Sequence, residues 1–410
     1  MKGFATRAVH GAAVRRDAYG GLRMPVYDCV AFEFETAKDM QLSFEGKKPA
    51  HAYSRITNPT VEDFEARMRL AVDAMGVLAF GSGMAAIANT IVALAETGTN
   101  LVTTDRLFGN TLSLFRDTLG PLGIETRLVN MNDAGDVERA IDGDTRAVFF
   151  EVMTNPQLEV ADVRSLSGIT KRHGVPLIAD GTLTTPFMFR SRDFGVDLEI
   201  ISTTKYISGG ATSLGGVLID NGTFDWGKSP KLKDRAQKVG PYALLMLIRR
   251  EVNRNLGTCL SAHNAYLQSL GLETLELRAG KSEANAAAIA GFLSEQPEVL
   301  CVHYPGLPSS PFHGPAKAQF DGRFGSLLTF HLPDRAACFR FLDALEVIRR
   351  ATNLQDNKTL AVHPASTIFC EYSEEERRKM GVDEGMVRLS VGIEDVADLL
   401  KDIRKGLDRT

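Results

Sequence analysis

Short apolar runs alternate with amphipathic segments along the middle of the chain. From Val61 onwards the amphipathic segments, such as Met84–Ala95 and Asp162–His173, have the 3.6-residue period of helices. The runs that we predict to be strands are Val77–Phe80, Leu101–Thr104, Thr126–Val129, Ala147–Val152, Leu177–Ala179, Leu198–Ile201 and Gly216–Ile219. Strands that are apolar along their whole length are buried on both faces, so the pattern predicts an α/β fold with a mostly parallel seven-stranded sheet covered by helices. Ligands are expected at the carboxyl ends of such strands.

The regions on either side of this block have different patterns. Residues 1–57 are rich in glycine, arginine, proline and aromatic residues and keep no period, so we predict an N-terminal arm. Such an arm either docks on a neighbouring subunit or is a disordered tail, and this stretch alone favours neither. Residues 58–257 then form the large domain, and residues 258–410 a smaller α+β domain. In the small domain we predict a long helical stretch over Leu260–Glu295, strands Val299–His303, Ser326–His331, Thr367–Phe369 and Met386–Val391, and helices Arg335–Leu345 and Val396–Leu407.

Composition excludes several classes of protein. The 410 residues are 44% hydrophobic and 24% charged, with a formal net charge of −4, so no basic surface for nucleic acid is expected. No apolar run approaches the roughly 20 residues of a membrane span, and Met1–Arg7 lacks the apolar core of a signal peptide. The five cysteines are scattered without a Cys-x-x-Cys pair, which argues against a disulfide framework and against a zinc site. We therefore expect a cytoplasmic protein without a metal.

The first predicted strand ends in Gly81-Ser82-Gly83-Met84, directly before a helix. Glycines at this place allow backbone N–H groups to approach a phosphate at the helix N-terminus. A tight turn without a ligand has the same pattern. Gly81-x-Gly83-x-x-Ala86, followed by Asp105 after the next strand, also fits the relaxed dinucleotide fingerprint, so a nicotinamide-dependent oxidoreductase is a rival interpretation.

Two charged residues of opposite sign follow successive strands. Asp180 ends the Leu177–Ala179 run, and Lys205 follows Ile200–Ile201 and three hydroxyl residues. Burial favours the neutral form of an amine, and a neutral amine can bond to an aldehyde. A carboxylate for a pyridinium nitrogen, a lysine for an aldehyde and a glycine turn for a phosphate are what pyridoxal phosphate requires, whereas the dinucleotide interpretation leaves Asp180 and Lys205 unexplained. Arg388, within an apolar strand, is either a structural ion pair or a clamp for a substrate carboxylate.

Seven motifs resemble, in order and spacing, the Cys/Met-metabolism (cystathionine γ-synthase-like) pyridoxal-phosphate enzymes of fold type I, the aspartate-aminotransferase fold. The resemblance extends from about Thr6 to Leu407. The motifs are Tyr53-Ser54-Arg55 with Asn58-Pro59-Thr60, Gly81-Ser82-Gly83-Met84, Asn155-Pro156, Asp180-x-Thr182, Ser202-x-Thr204-Lys205, His363-Pro364-Ala365-Ser366 and Arg388-Leu389-Ser390-Val391-Gly392.

The resemblance implies pyridoxal 5'-phosphate as the cofactor and assigns a role to each matching residue. Lys205 would bond covalently to the cofactor and afterwards carry protons, and Asp180 would pair with the pyridine N–H. The implied cofactor contacts are the backbone N–H groups of Gly83 and Met84, the hydroxyls of Ser202 and Thr204, the ring of Phe108 and the amide of Asn155. Arg388 would bind the substrate α-carboxylate with help from Asn353 and the backbone of Leu354. Tyr53 and Arg55 would reach the phosphate of a neighbouring subunit, with Tyr53 also close to the substrate, in a homotetramer built as a dimer of dimers.

The resemblance is greatest to O-acylhomoserine sulfhydrylases. Residues 211–226 and 353–364 are most similar to enzymes that use O-acetylhomoserine, and residues 108–115 to those that use O-succinylhomoserine. Most family members have tyrosine where Phe108 stands, and methionine-cleaving lyases often have cysteine where Asn110 stands. A carboxylate leaves without help from an acid, whereas a thiolate benefits from one, so Phe108 favours an O-acyl substrate. Gly181 replaces a usual asparagine, and the sequence offers no functional explanation for it.

The expected reaction is therefore γ-replacement on O-acetyl-L-homoserine by sulfide or a thiol, in methionine biosynthesis. Sulfur delivered by a carrier protein is a further possibility. The alternatives within the family are an O-succinylhomoserine sulfhydrylase and a γ-lyase acting on methionine or cystathionine. Outside it are the nicotinamide oxidoreductase and a non-catalytic binding protein of the same fold.

Overall fold

The large domain is built on a seven-stranded sheet, as the hydrophobic pattern predicts. The computed structural model describes residues 3–11, 17 and 19–410. The strands are β1 (Gly76–Phe80), β2 (Asn100–Thr103), β3 (Glu125–Leu128), β4 (Thr145–Glu151), β5 (Leu177–Asp180), β6 (Leu198–Ile201) and β7 (Gly216–Asp220). Their order is β1-β7-β6-β5-β4-β2-β3, and only β7 runs antiparallel to its neighbours. The prediction of a mostly parallel α/β sheet is confirmed.

Both faces of the central strands are buried, which explains why these strands are mostly apolar. Ile178 packs on one face with residues of the helix that follows β1, while Leu177 and Ala179 pack on the other face with the helix that precedes β5. The helices up to residue 257 are α1 (Phe4–His10), α2 (Ala37–Phe44), α3 (Pro59–Val72), α4 (Gly83–Leu94), α5 (Gly109–Ser113), α6 (Ala134–Ala140), α7 (Val163–His173), α8 (Thr185–Met188), α9 (Lys233–Val239), α10 (Ala243–Leu247) and α11 (Asn253–Leu256).

The small domain contains a second sheet of five strands. The strands are β8 (Cys301–His303), β9 (Leu327–His331), β10 (Arg349–Arg350), β11 (Leu360–Val362) and β12 (Met386–Ser390), in the order β10-β11-β12-β9-β8. The helices are α12 (Ala262–Glu273), α13 (Leu275–Ser294), α14 (His313–Gln319), α15 (Arg335–Ala344), α16 (Glu374–Lys379) and α17 (Val396–Leu407). None of the helices in the described part of the chain has both the length and the apolar character that a membrane crossing demands.

One predicted strand of the small domain is wrong. Thr367–Phe369 forms turns, because the N–H groups of Thr367 and Phe369 both donate to the carbonyl oxygen of Pro364, at 3.1 Å each. In chain order, the third and fourth strands of this sheet are instead β10 and β11, which the sequence pattern did not predict. They have two and three residues, and a run this short shows no measurable period.

The N-terminal arm contains more structure than its sequence pattern suggests. Helix α1 packs on its own chain, where Ala8 is buried against the side of α3 that carries Phe64 and Met68. Further along, the guanidinium of Arg23 forms two hydrogen bonds of 2.7 Å with the carboxylate of Glu273 in α12. A disordered tail is therefore excluded for the described residues of the arm that make these contacts.

Helix α12 lies directly against the loop that follows Lys205. A Cβ atom at Gly271 would stand 2.2 Å from the carbonyl oxygen of Ile207 and 2.4 Å from the nitrogen of Gly209. The helix approaches the loop this closely because residue 271 has no side chain. The loop that carries Lys205 is thereby packed directly against α12, which also packs on α3.

We predict that Gly271→Ala destabilises the protein by about 1–3 kcal/mol, because the added methyl group overlaps backbone that cannot turn away. The matched control is Gly280→Ala in α13, where an added Cβ meets nothing within 4 Å. There alanine should stabilise by about 0.5–1 kcal/mol through helix propensity. The free energy of unfolding in urea measures both effects, and a Gly271→Ala protein as stable as the control would refute the close contact.

Candidate active site

The strand ends of the large domain and the sheet of the small domain enclose one cavity of about 720 Å³. It lies at the carboxyl ends of the parallel strands, where the sequence predicts a ligand. Nearly all predicted site residues line it, namely Gly83, Met84, Phe108, Asn155, Asp180, Ser202, Thr204, Lys205, Asn353, Leu354 and Arg388. Residues more than 300 positions apart thus meet at one site.

Lys205 extends into this cavity from the loop after β6. Its Nζ donates a hydrogen bond to Oδ1 of Asn353 at 2.7 Å. Burial lowers the pKa of Lys205 to about 8, and the positive charge of Arg388 adds to the effect. About a tenth of the amine is therefore neutral at pH 7, far more than for an ordinary lysine, and able to act as a nucleophile or a base.

Asp180 and Glu151 end neighbouring strands and lie opposite each other in the register of the sheet. Burial raises the pKa of Asp180, and burial together with the charge of Asp180 raises the pKa of Glu151. Neither carboxyl forms an ion pair with a residue in the described part of the chain. A buried pair of acids is costly without a cation, so this end of the cavity favours a positively charged or N–H-donating ligand.

The N-terminus of α4 forms the opposite end of the cavity. Ser82 caps this helix, because its hydroxyl accepts the N–H of Ala85 at 3.0 Å. The N–H groups of Gly83 and Met84 lie in the first turn and therefore have no acceptor within the helix. A Cβ atom at Gly83 would stand 2.8 Å from the Cβ of Ser202, which makes glycine necessary for the close packing there. Free N–H groups and the helix dipole form a site for a phosphate.

The two hydroxyl residues before Lys205 have different surroundings. Ser202 lines the cavity beside α4. The hydroxyl of Thr204 donates to the carbonyl oxygen of Gly215 at 3.1 Å and accepts the N–H of the same residue at 3.0 Å. Because a hydroxyl has one proton, Thr204 can donate to a phosphate only after it releases Gly215.

Arg388 enters the cavity from β12 and is 1% exposed. Its Nη1 donates to Oδ1 of Asn155 at 3.0 Å, and its Nη2 donates to the carbonyl oxygens of Thr352 and Asn353 at 3.1 and 3.2 Å. Its Nε is buried and has no partner among the described residues. Burial lowers the pKa of Arg388 to about 10, which leaves the guanidinium charged at neutral pH. A buried, charged donor without an acceptor fits a carboxylate ligand.

Phe108 and Asn155 occupy the side of the cavity near Glu151. The backbone N–H of Phe108 donates to Oε1 of Glu151 at 2.6 Å, and the ring is half-buried at the start of α5. Asn155 uses its side-chain oxygen to hold Arg388. The amide of Asn155 therefore orients the guanidinium in addition to lining the predicted cofactor pocket.

Tyr53 and Arg55 are the two predicted site residues that do not line the cavity of their own chain. They border a separate groove with residues of the arm and of the segment around Cys259. The guanidinium of Arg55 lies 5.3 Å from the ring of Tyr53 and donates to the carbonyl oxygen of Arg254 at 2.6 Å. Tyr53 is 41% exposed.

Sequence reasoning did not assign some residues of the cavity. Glu151 stands out only once its strand is aligned beside Asp180. Thr182 lies within the Asp180-x-Thr182 motif, and its hydroxyl accepts the N–H of Ser202 at 2.9 Å, which ties the two strand ends together. Thr367 and Ile368 come from a turn that the sequence predicted as a strand, so no signal indicated them.

The cavity fits pyridoxal phosphate better than a dinucleotide. An amine with a lowered pKa, unneutralised acids and a helix N-terminus correspond to the aldehyde, the ring nitrogen and the phosphate. Asp105, the acid that the dinucleotide fingerprint needs, lines a different cavity together with Arg106, Asn130 and Asp136. The nicotinamide interpretation thus loses the residue that supported it.

Comparisons with known proteins agree with this geometry. A family model described as Cys/Met metabolism PLP-dependent enzyme matches residues 5–408. An L-methionine gamma-lyase of Pseudomonas putida is 37% identical, over 99% of this chain and 98% of that one. A structure of O-acetylhomoserine sulfhydrylase from the methionine biosynthetic pathway of Wolinella succinogenes is 48% identical, over 86% of this chain and 98% of that one, with a TM-score of 0.77. A structure of a putative O-acetylhomoserine (thiol)-lyase of Campylobacter jejuni is 33% identical and has a TM-score of 0.93, over 99% of this chain and 100% of that one. It contains N'-pyridoxyl-lysine-5'-monophosphate at its position 205.

The structure accounts for Gly181, which the sequence left unexplained. A Cβ atom at residue 181 would stand 2.1 Å from Oε1 of Glu199, so the carboxyl group occupies the space of a side chain there. Glu199 is 1% exposed, and its Oε2 accepts a hydrogen bond from the hydroxyl of Ser191 at 2.6 Å. Burial raises the pKa of Glu199 to about 8, with a further contribution from Asp180. The carboxyl of Glu199, which packs against Gly181, is thus mostly uncharged at neutral pH.

We predict that Gly181→Asn destabilises the protein by about 1–3 kcal/mol, because the amide overlaps the Glu199 carboxyl. Adding Glu199→Ala should recover part of that loss, so the two substitutions should be coupled by at least about 0.5 kcal/mol in a double-mutant cycle. Gly143→Asn, at a position where a Cβ meets nothing within 4 Å, is the control and should change stability by less than about 0.5 kcal/mol. Additive effects of the two substitutions in urea unfolding would contradict the overlap.

Proposed function

The chain belongs to the Cys/Met metabolism PLP-dependent enzymes, and we propose that it replaces the γ-acyloxy group of an O-acylhomoserine, preferably O-acetyl-L-homoserine, with sulfide or a thiol. The products are homocysteine or a thioether and the free carboxylate, as in methionine biosynthesis. The observation that carries the proposal is one cavity that combines Lys205, the Asp180–Glu151 acids and the unsatisfied Nε of Arg388, beside a Phe108 ring that has no hydroxyl.

We assign cofactor binding to residues at the two ends of the cavity. The N–H groups of Gly83 and Met84 and the hydroxyl of Ser202 hold the phosphate at the N-terminus of α4. Asp180 accepts the ring N–H, which relieves the repulsion between its carboxyl and that of Glu151. Pyridoxal phosphate in this cavity would supply an electron-withdrawing ring that makes the α-proton of an amino acid bonded to it in place of Lys205 acidic.

Arg388 and Lys205 position the substrate and move its protons. Arg388 binds the α-carboxylate through Nε, its donor without another acceptor, while Asn155 and the loop at Thr352 and Asn353 fix the guanidinium plane. This places the α-carbon near Nζ of Lys205, which removes the α-proton and later returns a proton. In the net reaction the γ-carbon–oxygen bond breaks, the acyl carboxylate leaves, and sulfur from sulfide or a thiol bonds to the same carbon.

Two features distinguish this proposal from a γ-lyase. Phe108 presents no hydroxyl that could protonate a departing thiolate, whereas an acyl carboxylate departs as a weak base without that help. The Wolinella succinogenes sulfhydrylase shares 48% identity with this chain. The Pseudomonas putida methionine gamma-lyase shares 37% and supports a second candidate, in which the same residues eliminate a thiol from methionine.

We predict that the protein turns over O-acetylhomoserine with sulfide faster than O-succinylhomoserine with sulfide, and both faster than methionine or cystathionine alone. A panel that measures homocysteine formation and, separately, keto-acid and ammonia release tests this. Lys205→Ala should abolish every activity, since it removes the amine that moves the protons. Keto-acid release from methionine as the fastest reaction would assign the γ-lyase instead.

A variant at residue 108 tests, with the same substrates, whether the missing hydroxyl determines which reaction is favoured. Phe108→Tyr restores a hydroxyl beside the cavity, so elimination from methionine should rise relative to sulfhydrylation. Phe108→Leu is the control, because it changes the ring without adding a proton donor. Free sulfide, a methyl thiol and a thiocarboxylate on a carrier protein, offered in turn as sulfur donors, define which form of sulfur the enzyme accepts.

We further propose that the chain acts in the cytoplasm as a homotetramer made of two dimers, with Tyr53 and Arg55 completing the cavity of the neighbouring subunit. This assigns a role to two residues that lie outside the cavity of their own chain. It also gives the exposed Tyr53 ring a partner.

A mixture of two inactive variants tests the shared site. Lys205→Ala and Arg55→Ala subunits, co-expressed with different tags and purified as hybrids, should regain activity. In each hybrid dimer one cavity combines a native Lys205 with a native Arg55 from the other subunit, so up to half of the native rate is expected. If both residues served one chain's own cavity, the hybrids would be no more active than the Arg55→Ala subunits they contain.

A further inference from the structure

A cluster of metal-ligating side chains lies in the small domain, away from the cavity of Lys205. Cys301 and His303 are two residues apart on the edge strand β8, so both side chains leave the same face of the sheet. His331 on β9 lies directly opposite Cys301 in the antiparallel register. Val302, between Cys301 and His303, and Phe330, directly before His331, instead point into the core of the small domain. The topology thus places one thiol and two imidazoles on one side of two paired strands.

The distances between these groups are close to those of a metal site. The Sγ of Cys301 lies 3.6 Å from Nε2 of His303. One ligand atom from each of the three residues lies within 4.8 Å of the others. Zinc bonds of about 2.0 Å to nitrogen and about 2.3 Å to sulfur hold tetrahedral ligand atoms roughly 3.3–3.8 Å apart. Side-chain rotation that brings the third ligand about 1 Å nearer completes the geometry.

His331 has the environment of a metal-binding histidine. Its Nδ1 lies 3.1 Å from Oδ2 of Asp383, while its Nε2 is buried and has no partner among the described residues. A carboxylate at one ring nitrogen fixes the tautomer that leaves a lone pair on the other, which is the usual arrangement behind a metal-bound histidine. The Asp383 carboxylate is itself held by the N–H of Gly385 at 2.9 Å.

Hydrogen bonding alone explains only part of the cluster. A thiol-to-imidazole hydrogen bond accounts for Cys301 and His303, and an ion pair accounts for His331 with Asp383. Neither gives a partner to the buried Nε2 of His331, and a buried polar atom is rarely left without one. A metal ion in contact with all three residues supplies that partner.

We propose that Cys301, His303 and His331 bind a zinc ion, with Asp383 orienting His331 and a water or an external ligand in the fourth position. One thiolate and two imidazoles suit zinc and do not suit magnesium or calcium, which prefer oxygen. On binding, the thiol releases its proton to solvent. The ion joins the edge strand β8 to β9, so it stabilises the edge of the small-domain sheet. It takes no part in the proposed reaction.

The experiment uses the full-length holoenzyme, expressed without a histidine tag, stripped with a chelator and desalted. Zinc is then titrated against a chromogenic chelator. We expect one ion per chain, an at least tenfold loss of affinity in Cys301→Ser and in His331→Gln, and no change in Cys370→Ser, which removes an exposed thiol elsewhere in the small domain. Zinc should also raise the melting temperature of the native protein and leave that of Cys301→Ser unchanged.

Two further measurements separate the proposed ligands from adventitious binding. Zinc X-ray absorption should show one sulfur at about 2.3 Å and nitrogens at about 2.0 Å, with the sulfur missing in Cys301→Ser. Asp383→Asn should bind one ion with about 10- to 100-fold lower affinity, because Asp383 orients the ligand rather than binding the metal. Sulfhydrylation by each variant reports that it is folded. Equal zinc affinity in the native protein and Cys301→Ser, or a spectrum without sulfur, overturns the site and leaves the proposed reaction untouched.

Discussion

The site depends on charges that are buried together and do not neutralise one another. Asp180 and Glu151 lie at one end of the cavity, and Lys205 and Arg388 lie toward the small domain, yet no ion pair among the described residues joins the two sets. Each group is held by hydrogen bonds to neutral partners, such as Asn353 for Lys205 and Asn155 for Arg388. Burial then lowers the pKa values of the bases and raises those of the acids. A cationic ring would suit the two acids, an aldehyde would suit Lys205, and a carboxylate would suit Arg388.

Much of this arrangement is predictable from sequence because it follows from strand ends. All seven strands of the large sheet are predicted from sequence, six of them as mostly apolar runs between helices and the edge strand β3, which carries Glu125 and Arg127, as a short run of mixed polarity. Asp180 and Lys205 stood out as charged residues at the ends of such runs, and parallel strands bring their carboxyl ends to one edge. Arg388 stood out for the same reason, as a charge within an apolar strand.

The rest depends on contacts that no local pattern records. The strands β10 and β11 are too short to show a period, and the turn at Thr367 was mistaken for a strand because its residues are apolar and β-branched. Glu151 becomes informative only when the register of β4 and β5 is known. Cys-x-x-Cys spacing does not capture ligands that come from different strands, and Cys301, His303 and His331 meet through the pairing of β8 and β9. Tyr53 and Arg55 border a groove separate from the cavity of Lys205, and the pattern of one chain does not define where they act.

The contact between Gly181 and Glu199 restricts the order in which the two residues can arise in a lineage. A glutamate at position 199 needs the space that any side chain at position 181 would take. An ancestor with asparagine at 181 therefore has to lose that side chain before it can accept the glutamate, and the reverse order passes through an overcrowded protein. Once Glu199 is present, a return to asparagine at 181 requires that the glutamate move or be lost first. A side chain at 181 and a glutamate at 199 therefore compete for the same space.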